Sequence, residues 1–179
     1  MRKIKYLLIL LISSFTVFSQ GNKFFLNGYV KDLYMYYKPE LTLPGTEVNH
    51  LSSNLIHNRL NLRWYPAGKI IFAVEARNRL YSGQLIREFP LYKDFTDSDP
   101  GYFDLAFTVA SGNSWFLHTV IDRAWMDFTS GPWQITAGRQ RINWGINLVW
   151  NPNDIFNTFD YFDFDYEERP GSDALKIQY

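Results

Sequence analysis

Three features of the chain predict an all-β fold, an antiparallel up-and-down transmembrane β-barrel to which these residues contribute about six strands. Apolar and charged residues alternate with a period of two, tight turns alternate with long connections, and aromatic side chains gather beside the tight turns on the apolar side. The 179 residues are one domain's worth of chain, and 15 Phe, 12 Tyr and 6 Trp make it unusually aromatic. Hydrophobic residues make up 46%, but they are dispersed among polar ones, which excludes a helical membrane bundle. Eighteen basic residues balance eighteen acidic ones, so there is no basic footprint and no nucleic-acid partner is expected. The absence of cysteine removes disulfide frameworks, Cys-based zinc sites and Cys nucleophiles together.

Residues 1–20 read as a signal peptide: Arg2, Lys3 and Lys5 precede the apolar run Tyr6 to Ile12, and Ser13 to Gln20 is small and polar, with cleavage expected near Ser19 or Gln20. The run is too short for a membrane-spanning helix, which needs ~20 residues. Residues 21–179 then form the N-terminal part of a barrel with a mildly acidic balance, destined for the outer membrane.

The first strand, Phe24 to Lys38, alternates only loosely. In the next, Ile56, Asn58, Leu60, Leu62 and Trp64 share one face and His57, Arg59, Asn61 and Arg63 the other. After Pro66-Ala67-Gly68 the pattern restarts, with Ile70, Phe72, Val74, Ala76 and Leu80 against Ala73, Glu75, Arg77 and Arg79. A three-residue turn would place Leu62 opposite Phe72, Leu60 opposite Val74 and Arg59 opposite Glu75, matching apolar with apolar and cation with anion. A second hairpin, about His118 to Arg141, turns at Ser130-Gly131-Pro132. Its apolar face holds Val120, Ala124, Met126, Phe128, Trp133, Ile135 and Ala137, and its polar face Arg123, Asp127, Gln134, Thr136 and Gln140. Asp173 to Tyr179 supplies a last strand.

The connections 39–54, 81–117 and 142–172 are long, whereas the two hairpin turns are tight, which is the asymmetry of an outer-membrane barrel. Trp64, Phe128 and Trp133 lie beside the tight turns as one membrane girdle, and Tyr34, Tyr36 and Tyr81 are candidates for the other. By parity Arg59, Asn61, Arg63, Glu75, Arg77, Arg79, Arg123, Asp127, Gln134 and Gln140 line the pore. Six strands are fewer than the ~8 of the smallest such barrels, so a truncated reading frame or assembly is expected. Asp122 and Arg139 fall on the apolar face, and a register with the three-residue turn sets them opposite each other as an ion pair.

The segments Gly138-Arg139-Gln140-Arg141-Ile142-Asn143-Trp144-Gly145, Trp150-Asn151-Pro152-Asn153-Asp154-Ile155-Phe156 and Tyr166-Glu167-Glu168-Arg169-Pro170-Gly171-Ser172-Asp173-Ala174 resemble a porin-like outer-membrane barrel family of Bacteroidetes-type bacteria, distantly similar to alginate-export-type channels. The resemblance covers mainly 118–179 and implies architecture, location and, generically, transport.

The 142–172 connection holds an Asn-capped segment predicted as a short helix over 151–157, then Asp160, Asp163, Asp165, Glu167 and Glu168 interleaved with Phe and Tyr. With Asp154 these form a candidate constriction loop whose carboxylates would face Arg59, Arg63, Arg77 and Arg123 across a lumen. The alternative is that the acids are solvated and each wall arginine pairs locally. Calcium at Asp160, Asp163, Asp165 and Glu167 is a weaker reading, because the spacing is not that of an EF-hand loop. Enzyme motifs are missing: there is no nucleophile elbow, zinc-binding helix or phosphate loop, and although parity puts His118 on the lipid face with Ser114 near it in sequence, one such pair is weak evidence of a hydrolase. The expectation is a non-enzymatic porin-like channel for small polar or anionic solutes, without cofactor or metal. Its partners would be outer-membrane lipid, the solute, the barrel-assembly machinery and, as one route to closure, further copies of itself. A secreted β-sandwich that binds polysaccharide, or an outer-membrane hydrolase, are the alternatives.

Overall fold

The computed structural model describes residues 23–38, 50–99, 101–142, 165 and 170–179. The leader at 1–20, the helix expected over 151–157, and Asp154, Asp160, Asp163, Glu167 and Glu168 lie outside the described residues.

The chain forms seven strands: β1 (Phe24–Tyr37), β2 (Leu51–Ala67), β3 (Ile70–Gly83), β4 (Ala106–Gly112), β5 (Trp115–Ser130), β6 (Trp133–Gln140) and β7 (Ser172–Gln178). All belong to one antiparallel sheet of order β1-β2-β3-β5-β6-β7, with β4 paired to β5 off that path. The sheet runs up and down, as alternation and turn spacing predict, and it is open, with β1 and β7 at its ends. Two five-residue helices, α1 (Gln84–Glu88) and α2 (Tyr92–Thr96), follow β3. The count differs from the expected six because β4 is short and mostly exposed, and its alternation is broken by an irregularity between Thr108 and Ala110. It lies beside the first half of β5 (Trp115 to Val120), and β6 beside the second (Ala124 to Ser130).

Both hairpins form at the expected places, but each is offset by two residues from the expected register. Trp64 faces Phe72, Leu62 faces Val74 and Arg59 faces Arg77, after an irregularity between Trp64 and Ala67. Pro66 lies within that irregularity and has no N–H to give to the ladder, so the regular pairing stops there and resumes at Ala67 and Ile70. In the second hairpin Ser130 pairs with Trp133 across a two-residue turn, Gly131-Pro132. Gly131 has φ 59°, and Pro132 cannot adopt a positive φ, a combination that suits a type II′ turn. An offset of two keeps every side chain on its face, so the division into apolar and polar faces survives.

Parity does reverse in β5. Glu75 pairs with Arg123 but Ala76 with Ile121, which leaves Asp122 as an extra residue in a bulge. Beyond it Val120, His118 and Phe116 share the polar face with Arg77, Arg79 and Tyr81, contrary to the expected lipid-side placement of Val120 and His118. Asp122 therefore does not face Arg139, whose neighbours in the ladder are Ala124 and Asp173.

Burial is inverted relative to a water-soluble sheet. Among the described residues the buried set contains six apolar side chains and fourteen polar or charged ones. Arg59 is 1% and His57 0% exposed, while Leu26 is 54% and Val30 66% exposed. The one packed apolar cluster, Tyr81, Ile86 and Phe116 with Leu55 and Tyr92 against it, lies at the far end from the hairpin turns, under α1 and α2. Tyr81 stacks on Phe116 at 4.7 Å and is buried, so it is a core residue and not a girdle residue.

Gly138, at φ 112° within β6, has backbone that other residues rarely adopt, and a Cβ there would strike the Ala124 carbonyl oxygen. Gly138→Ala should lower stability by about 1–3 kcal/mol. Gly68→Ala, where a Cβ meets open space, should stay within about 0.5 kcal/mol of the parent. Urea unfolding in detergent micelles compares the two.

Candidate functional site

The polar face is a grid in which each cross-strand row carries a different chemistry. The charged row farthest toward the loops is Lys31, His57, Arg79, His118 and Thr108, one residue from each of β1, β2, β3, β5 and β4. An Asp from a connecting segment stands at either side of it. Asp165 Oδ2 lies 2.6 Å from His57 Nδ1, and Lys31 Nζ donates to the Asp165 carbonyl oxygen at 3.0 Å. Asp97 Oδ1 lies 3.2 Å from His118 Nε2. Arg79 has only donors, so His118 Nδ1, 3.3 Å from Arg79 Nη2, is an acceptor; Nε2 then carries the proton and donates it to Asp97. Burial works to raise Asp165, but the His57 hydrogen bond and the charges of His57, Lys31 and Arg79 outweigh it and hold the carboxyl below its usual range.

Two rows toward the turns, charge is packed most densely. Glu75 Oε2 accepts from Arg59 Nη2 at 2.7 Å and from Arg123 Nη1 at 3.0 Å, and Arg59 Nη2 also reaches Asp122 Oδ2 at 3.0 Å. Arg59 Nε donates to Asn61 Oδ1 at 3.1 Å. Two guanidinium groups and two carboxylates are thereby neutralised inside the sheet, which is what their burial requires. The expected Arg59–Glu75 pair is present, formed diagonally and not across a register pair. The bulge at Asp122 brings that carboxylate to the polar face, where it completes the cluster.

Nearer the turns Asp127 Oδ2 accepts from Gln134 and Thr136, each at 2.7 Å, and Oδ1 from Thr129 at 3.1 Å. Arg59, Asn61, Arg63, Glu75, Arg77, Arg79, Arg123, Asp127, Gln134 and Gln140 all share this one face by register. Of the acidic-loop candidates, Asp165 is the described one, and it lies against the same face. Sequence reasoning missed His57, His118, Asp122 and Lys31 as members of the site. His57 and Lys31 were legible from parity alone, but His118 and Asp122 needed the bulge.

The opposite face carries Trp64, Phe128 and Trp133, the residues expected as a girdle. Phe24, Trp64 and Phe72 stack in series at 5.5 and 5.3 Å, and Trp133 packs on Tyr179 at 4.8 Å, so the aromatic belt beside the tight turns crosses several strands. Tyr34, Tyr36 and Trp115 stand toward the other end. From the Trp64 row to the Asn54 row is ten residues, about 23 Å at ~3.3 Å per residue and ~45° tilt. Three polar side chains within this span form a hydrogen-bonded chain: Thr119 Oγ1 donates to Asn78 Oδ1 at 2.9 Å, Asn78 to Asn58 at 3.2 Å, and Asn58 to the Tyr29 carbonyl at 3.2 Å.

Arg139, a charge that parity sets on this apolar face, is covered. It makes a forked contact with Asp173 at 3.0 and 2.9 Å and bonds Asp99 and the Phe103 carbonyl oxygen, so Asp99 and residues 101–103 lie over it. Gly101 is required there, because a Cβ would overlap the guanidinium. Burial works to raise Asp99, but the Arg139 hydrogen bond, the Gly101 and Leu105 amides and the Arg139 charge together lower it below 3.8.

Among the described residues no group of three or more His, Asp or Glu is placed to hold a metal ion. No protein-family profile, curated protein or solved structure matches the chain.

Two outcomes are expected. Arg59→Met, which strips a partner from two buried carboxylates, should cost about 3 kcal/mol or more, whereas exposed Arg63→Gln should cost less than about 0.5 kcal/mol, both read from denaturant midpoints in detergent. A group with a lowered folded pKa contributes stability above its unfolded value that is lost as pH falls through the folded one. The cover formed by Asp99 and residues 101–103 should therefore hold unchanged down to about pH 4 and loosen below that. A carbon-13 titration of the Asp99 carboxyl should give a midpoint under 3.8, and one at or above it would mean the clamp is not formed.

Proposed function

We propose that the chain belongs to an outer-membrane β-barrel and acts as a porin-like channel, passing small polar or anionic solutes along its charged face. The observation that carries this reading is the inversion of burial: Arg59, Glu75, Arg77, Arg79 and Asp127 of the polar face are buried, while a band of Leu, Val, Ile, Phe and Trp is exposed. In water such a band is a costly patch, and in lipid it is the expected exterior. The ~23 Å between aromatic rows is close to the ~25 Å apolar band of such barrels. The resemblance of the 138–174 segments to porin-like barrels points the same way. The sandwich alternative requires a second sheet over the apolar face, and all seven described strands lie in one sheet. The hydrolase alternative is weakened at His118, whose two ring nitrogens are already engaged by Arg79 and Asp97.

An open sheet in hydrocarbon would leave the edges of β1 and β7 unpaired, which is prohibitively costly. Closure therefore calls for further strands beside them, from a longer polypeptide or from neighbouring copies, placed by the barrel-assembly machinery. The leader expected at 1–20 supplies export.

The reading predicts that the protein sediments with outer membranes, needs detergent, and conducts ions in planar bilayers. Variants retaining one tryptophan give the sharper measurement. Trp64 and Trp133 should be quenched by brominated lipid and Trp125, on the polar face, should not; equal quenching of all three, or a freely dissolved monomer, would reject the proposal.

A further inference from the structure

The turn-side half of the polar face contains a hollow that the charged rows do not fill. The row there runs Phe25, Arg63, Ala73, Trp125, Gly138 and Ala174. Beside Trp125 a cavity of about 250 Å³ opens, walled by Arg63, Glu75, Asp127, Arg141 and Lys176 among others. A second hollow of about 300 Å³, walled by Phe25 and Tyr65, shares Arg63 and Glu75 with the first. Arg63 stands between the two.

The charges around the first hollow are unequal in a useful way. Its carboxylates, Glu75 and Asp127, are spent on the wall: Glu75 holds Arg59 and Arg123, and Asp127 holds Thr129, Gln134 and Thr136. Three further cations line the same space, Arg63 on β2, Arg141 just past β6 and Lys176 on β7, and among the described residues none of these three is salt-bridged. They come from three separate elements and surround one indole. Converging donors of one sign beside an aromatic surface make a site for an anion that has a flat carbon face.

We infer that this hollow is a binding site for a small organic anion, a carboxylate or phosphate ester with a planar or ring-shaped apolar body, its charge held by Arg63, Arg141 and Lys176 and its flat face by Trp125. The inference deepens the channel reading, because it takes the polar face to be water-filled, and it places solute selection near the tight turns and not at the row where Asp165 lies.

The test uses the full chain in a non-ionic detergent, titrated with 4-fluorobenzoate and with neutral 4-fluorobenzamide and followed by fluorine NMR. The acid should bind more tightly than the amide by about tenfold or more, as expected when charge-assisted contacts replace neutral ones. Inorganic phosphate should compete with it. The combined Arg63→Gln, Arg141→Gln and Lys176→Gln variant should lose the preference, and Arg63→Lys with Arg141→Lys should keep it. Trp125→Leu should weaken 4-fluorobenzoate while leaving phosphate affinity unchanged. Equal binding of acid and amide, or a preference that survives the triple change, would overturn the site. Bilayer conductance of the same preparations separates this inference from the one beneath it. Conduction without acid preference defeats the site alone. Acid binding without conduction supports the site and defeats the channel.

Discussion

Glu75 accepting two guanidinium groups is the contact on which the inverted arrangement of this sheet depends. A face crowded with Arg59, Arg77, Arg79 and Arg123 would repel itself, and Arg59 stands directly opposite Arg77 in the ladder. Glu75 and Asp122 offset that repulsion by taking Arg59 and Arg123 into one neutral cluster of short ionic hydrogen bonds. Such a cluster is weak evidence of net stabilisation, since desolvating four charges costs about as much as pairing them returns. What it provides is a fixed geometry, because each carboxylate has one arrangement that satisfies its neighbours.

The bulge at Asp122 links this cluster to the rest of the fold. An extra residue in β5 reverses which side chains face inward, so one irregularity brings Asp122 to Arg59, His118 to Arg79 and Phe116 to Tyr81. Without it Phe116 and His118 would stand on the apolar face and Tyr81 would lose its stacking partner. Bulges re-aim side chains in this way next to functional sites. Here the result is a polar face with two zones, a paired and latched zone near the loops and a hollow zone near the turns.

The same economy governs the one charged pair on the exposed side. Arg139 and Asp173 would be expensive in contact with lipid, and Asp99 and residues 101–103 remove that cost by lying over them. Tyr102 and Phe103, both largely exposed, turn that cover outward as an aromatic surface, so apolar character is restored where the strands themselves interrupt it. The segments that connect strands therefore serve both faces: Asp99 bonds Arg139 on the apolar face, while Asp97 and Asp165 stand against His118 and His57 on the polar face.

Alternation with a period of two determined much of this from sequence alone. It assigned β2, β3, β6 and the turn-side half of β5 to their faces, located both tight turns and placed Trp64, Phe128 and Trp133 in one belt, because side-chain direction in a strand is a local property. Pairing register, the seventh strand, the inward turn of His118 and Asp122, the burial of Tyr81 and the covering of Arg139 were decided only by tertiary structure. Each depends on contacts distant in sequence: a proline that interrupts one ladder, a bulge held by an arginine 63 residues away, and a loop that reaches across to β6 and β7. Periodicity shows which way a side chain points while the strand is regular, but it contains nothing about where regularity breaks.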